Sequence, residues 1–66
     1  NPKMKVAGRA HYNMAIISEI NGDLDAATAW AQKSYSDYRN KLGLRYARIL
    51  ENRKYNEEVL KYQEQR

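Results

Sequence analysis

One tripeptide, Asn21-Gly22-Asp23, interrupts a chain otherwise written almost entirely in helix formers. Proline occurs only at position 2, and the remaining glycines are Gly8 and Gly43. Gly22 can take the left-handed conformation that ends a helix, because it has no Cβ to clash there. Asp23 can then accept from the unpaired amides of a following first turn. A helix stop beside a helix start leaves no length for a crossover, so the flanking segments must fold back as an antiparallel hairpin.

The spacing predicts a first helix from about Met4 to Asn21. Ala7, Ala10, Met14 and Ile17 recur at one-turn intervals and are expected to face the second helix. Tyr12, Ile16 and Ile20 form another stripe, left without a partner inside the hairpin. The second helix is expected over about Leu24–Tyr38, with Leu24, Ala27, Ala31, Ser34 and Tyr38 on one side. These are mostly small residues, which lets a neighbouring helix come close. Arg39-Asn40-Lys41 reads as a turn. A third helix is expected over about 42–52 and a fourth over about 56–63. Asn52-Arg53-Lys54 lacks glycine and proline, so one bent helix is the alternative.

A chain of 66 residues is at most one domain. A core of that size rarely supplies more than about 3–5 kcal/mol. No cysteine is present and there is one histidine, which excludes disulfides and leaves too few ligands for a zinc site. No run of 18 apolar residues occurs, so no membrane-spanning helix is expected. The start, Asn1-Pro2-Lys3, suggests a piece of a longer protein.

Catalytic constellations are not indicated, and no cofactor is implied. His11 has no nucleophile spaced to use it and reads as a packing residue at the edge of a helix contact. Asp23, Asp25, Glu57 and Glu58 suit helix starts, where carboxylates offset the positive dipole end. A phosphate-cradling glycine loop is absent. The net charge of +4 raises nucleic acid as a partner. Lys41, Arg45 and Arg48, at one-turn intervals, are its best candidate contact face, followed by Arg53-Lys54. Glu51 interrupts that stripe and Glu57-Glu58 follow it, which favours an anionic protein partner instead. Of the six tyrosines, Tyr35, Tyr46 and Tyr62 are assigned to packing.

Gly8 to Lys41 spans 34 residues, and within it Ala10–Ala15, Asn21–Ala27 and Gln32–Tyr35 resemble a tetratricopeptide repeat, whose period is the same. Met14-Ala15 stands where that family has a large residue followed by a small one, Gly22-Asp23 matches the inter-helix turn, and Ala27 and Ser34 match small positions of the second helix. Departures are His11 in place of tryptophan, Ala31 in place of an aromatic, and no proline near Arg39. Residues 42–66 would be a degenerate second repeat or a cap, and aligning Val59 with Ala27 puts Tyr46, Ala47 and Leu50 on core positions. The resemblance implies a single all-α domain over 1–66: a helical hairpin plus one or two capping helices, in right-handed superhelical stacking. Its partner groove would be lined by Arg9, Tyr12, Ile16, Glu19 and Ile20, and would take a peptide, the parent protein or a second copy. The lysine–asparagine pair that clamps a terminal carboxylate in some members is missing. The chain also resembles the C-terminal helical part of larger tetratricopeptide-bearing lipoproteins of Bacteroidetes type. That implies the cell envelope for a lipoprotein parent and the cytoplasm otherwise. The resulting expectation is a non-catalytic protein-interaction or scaffold module, with a basic nucleic-acid-binding bundle and a purely structural cap as rivals.

Overall fold

The computed structural model describes residues 2–64, and these form three α-helices: α1 (Pro2–Ile20), α2 (Leu24–Ser36) and α3 (Lys41–Glu64). Pro2 stands at the first position of α1, where its missing N–H has no partner to lose. The hairpin turn is built as its residues require. Gly22 lies at φ +82°, and the amides of Asn21, Gly22 and Asp23 donate to the carbonyls of Ile17, Glu19 and Ser18. Asp23 Oδ1 accepts from the Ala26 amide at 3.0 Å, capping α2.

The second connection is also a cap. Arg39 takes a left-handed conformation, φ +57°, and Asn40 accepts from the Leu42 amide through its side chain at 3.1 Å and from the Gly43 amide through its carbonyl at 3.0 Å. Expected as a turn residue, Lys41 is instead the first residue of α3. That helix runs unbroken for 24 residues, about 36 Å at 1.5 Å per residue. The sequence left one or two helices open here, and a single one forms. Asn52-Arg53-Lys54 does not act as a loop: it holds no glycine or proline to break the helix, and from it Arg53 and Lys54 reach carboxylates on the other two helices, Glu19 and Asp25 respectively.

Ala15, Ala27, Ala31, Ala47 and Leu50 make the core, flanked by Leu24, Trp30 and Tyr46. Ala27, Ala31 and Ser34 are fully buried on the small-residue side of α2, as expected. The inward side of α1 differs from expectation. Gly8 and Ala15 are buried there, whereas Met14 is 40% and Ile17 50% exposed, and Ala10 is exposed as well. Close helix approach selected the small residues, and the larger apolar ones stand on the opposite side of the helix. Tyr46 does pack, but Tyr35 and Tyr62 are exposed.

The helices meet most closely around Ser34. Its hydroxyl donates to the Gly8 carbonyl of α1 at 2.7 Å, fully buried. On its other side stands Gly43 of α3, where an added Cβ would lie 2.9 Å from Ser34 Cβ and 2.7 Å from the Ala31 carbonyl oxygen. Ser34 therefore ties α2 to both neighbours with a side chain small enough to fit between two glycines. His11 sits nearby, its Nδ1 donating to the Ala7 carbonyl at 2.7 Å. A carbonyl can only accept, so this nitrogen carries the proton. The imidazole lies between Trp30 and Tyr38, with ring centroids 5.3 and 4.7 Å away.

Candidate functional site

α2 covers one side of both α1 and α3. A step around each helix from that contact, α1 and α3 meet each other in a polar-aromatic seam. Tyr12 packs edge-on against Tyr46, centroids 5.5 Å apart at 81°. The Tyr46 hydroxyl donates to one oxygen of Glu19, and Arg53 pairs with the other. Glu19 is thus held from both sides by α3.

Electrostatics follow from that geometry. Burial, then the hydrogen bond it gives to Glu19, pushes the Tyr46 hydroxyl up to about 12. The same hydrogen bond, assisted by the Arg53 charge and opposed by desolvation, lowers the Glu19 carboxyl below its ordinary value. Both shifts favour the neutral phenol donating to an ionised carboxylate.

Beyond the seam lies an open face. Ile16 stands one turn along α1 from Tyr12, Ile20 one turn beyond Ile16, and Arg9 three residues before Tyr12. On α3, Leu42 and Ile49 stand one turn either side of Tyr46. Ile20 is 77%, Leu42 53% and Ile49 57% exposed, and Ile16 is half-buried. Of the five groove residues expected from sequence, Tyr12 and Glu19 meet α3 in the seam, Ile16 is half-buried, and Arg9 and Ile20 are exposed. Sequence reasoning named only the α1 side and missed the α3 contribution of Leu42, Ile49 and Arg53. The seven-residue spacing of Leu42 and Ile49, and of Tyr46 and Arg53, was the available signal.

Lys41, Arg45 and Arg48 are all exposed along α3. Lys41 lines a cleft with Arg39, Lys5 and Arg9. Arg48 borders a separate hollow with Gln32, Leu44 and Glu51, and Arg45 is exposed. Gln32 donates to Glu51 at 2.6 Å, and Lys54 pairs with Asp25, which raises the Lys54 pKa. Among the described residues no three potential metal ligands converge, and no helix is long and apolar enough to cross a membrane.

No curated protein and no solved structure matches this chain. A family model does match it, over residues 1–65, and the chain belongs to that family, described as a domain of unknown function (DUF6340).

Proposed function

We propose that this domain is a non-catalytic protein-interaction module of tetratricopeptide type, which needs no cofactor and receives a segment of another protein on the open face of α1 and α3. The observation that carries this reading is a floor already built by internal contacts, Tyr12–Tyr46 and Tyr46–Glu19–Arg53, flanked by the exposed apolar side chains of Ile20, Leu42 and Ile49. A surface organised before binding loses less freedom on association. Each large apolar side chain moved from water into an interface contributes about 1.5–3 kcal/mol before association costs. Ile20, Leu42 and Ile49 together contribute about 4.5–9 kcal/mol on this scale, so polar contacts of the partner with the seam must supply the rest of a micromolar affinity.

A second reading has its own observation. Val6, Ala10, Met14 and Ile17 are exposed on the side of α1 turned away from α2. A preceding helix of a longer superhelical array would cover them, making the domain a stacking unit of its parent. The two readings use different sides of α1 and are compatible.

Selection of random displayed peptides on the wild-type domain tests the first reading. Peptides should be retained, and Ile49→Glu should weaken the best of them about tenfold or more while leaving the circular dichroism spectrum unchanged. Ile49 is exposed, so its replacement does not disturb the core. Failure to retain any peptide, or equal binding by Ile49→Glu, refutes the assignment of this face.

A further inference from the structure

α1 and α3 begin at the same end of the molecule, because α2 carries the chain back between them. Neither has an acidic residue in its first turn, whereas α2 starts with Asp23 as cap and Asp25 behind it. The start of a helix carries partial positive charge, which carboxylates ordinarily offset. At this end the opposite is found. A cleft of about 460 Å³ holds Lys5, Arg9, Arg39 and Lys41 around Met4 and Leu42, and no carboxylate lines it. Among the described residues none of these four cations has an ion-pair partner. Four like charges around one cleft repel each other, and that repulsion is relieved by an anion.

Arg39, at φ +57°, is the left-handed residue that ends α2, and this placement puts it at the wall of the cationic cleft.

We propose that this cleft binds the carboxylates of an acidic peptide segment, one of whose apolar side chains rests on Met4 and Leu42. The inference rests on the reading that the open face receives a protein segment. Arg9 and Leu42 belong to both regions, so a segment lying along that face runs into the cleft. Two features favour peptide over nucleic acid. Tyr38, the one aromatic at the cleft wall, already has its ring against His11 at 4.7 Å, so the cleft lacks the succession of free aromatic faces on which bases stack. The opposite end of the molecule carries Asp23, Asp25, Glu57 and Glu58 against Lys54 and Lys61. That acidic end repels a phosphate backbone continuing along the domain, whereas a short peptide stops before it.

The test uses the composition of peptides selected from a random displayed library. Two domains serve as bait: the wild type, and Arg39→Gly combined with Lys41→Gln. Glycine keeps the left-handed backbone at position 39, so the variant should fold, as circular dichroism will check. On the wild type, selected peptides should be enriched in Asp and Glu beside an apolar residue. The best one should bind about tenfold more weakly when its acids become amides, and weaken as salt is raised. On the double variant the acidic enrichment should vanish while peptides are still retained. Selection without acidic enrichment on the wild type, or the same enrichment on both baits, overturns the cleft proposal and leaves the open face standing. Retention of no peptide by the wild type overturns both. Tighter binding of a mixed single-stranded oligonucleotide than of the best peptide also overturns it, in favour of a polyanion.

Discussion

Replacing Gly43 with alanine sets two well-separated effects against each other. In an unencumbered helix, alanine is more favourable than glycine by about 1 kcal/mol, and less so here because Gly43 is only the third residue of α3. Against this stands the space. The new Cβ would lie 2.7 Å from the Ala31 carbonyl oxygen, 2.9 Å from Ser34 Cβ and 3.0 Å from Ser34 Oγ. The nearest of these atoms is backbone in the middle of α2, so it cannot swing aside as a flexible side chain could. α3 must instead move outward, loosening Ala47 and Leu50 in the core and the bond from Ser34 to Gly8. Overpacking of this kind costs about 1–3 kcal/mol. Packing therefore outweighs propensity, and the net loss is about 1–2 kcal/mol. For a domain of this size that is a fall in Tm of about 4–16 °C, measurable by thermal unfolding followed by circular dichroism. An unchanged or raised Tm would mean that propensity governs this position, and that α3 does not lie against α2 as described.

Gly22→Val should cost about 1–2 kcal/mol from backbone strain alone, because φ is +82° and the space around the position is open; free tolerance in a urea titration would contradict the turn. Tyr46→Phe tests the seam through pH. The Glu19 carboxyl is lowered, so its contribution to stability is present above its unfolded pKa of about 4.5 and is lost as pH falls through the folded value. The Tyr46 hydroxyl is raised, so its contribution is present below about 10 and is lost as pH rises through about 12. The phenylalanine variant should flatten both limbs of the stability–pH profile, and an unaltered profile would show that the hydrogen bond does not form in solution.

Much of the hairpin is legible in the residues, because Gly22 and Asp23 act through the backbone within a few positions of themselves. Ala27, Ala31 and Ser34 are legible too, since a run of small residues on one side of a helix has one physical use. The inward side of α1 is not. Periodicity weights Met14 and Ile17 by their size, but the core here admits Gly8 and Ala15 and pushes the larger residues out. Gly43 reads locally as a weak helix former near an end, and its reason, the backbone of α2 against it, lies on another helix. α3 continues through Asn52-Arg53-Lys54, where no glycine or proline breaks it, and the carboxylates that Arg53 and Lys54 meet, Glu19 and Asp25, lie far away in sequence. The candidate site was half visible: the α1 stripe can be found by counting, whereas its floor and its α3 side exist only once Tyr46 and Arg53 have been brought beside Tyr12 and Glu19. The cationic cleft is assembled from two helix starts and a link, so no single stretch of sequence contains it.

The unequal lengths of α2 and α3 have a consequence for how the domain melts. α2 has 13 residues and α3 has 24, and Lys54, paired with Asp25 at the start of α2, marks the end of the docked half. Past it, Tyr55, Leu60 and Tyr62 are exposed, so those turns rest mainly on their own backbone hydrogen bonds. A helix extended from a formed one is spared the cost of nucleation, but each added turn is worth little in water. The overhang therefore unzips from its end without waiting for the core. Its amides should exchange with solvent by local fraying, and those around Ala31 and Ala47 only by global unfolding. Helicity will decline gradually below Tm as the overhang shortens, while signals from Trp30 and the Tyr12–Tyr46 pair hold steady until the three helices separate together.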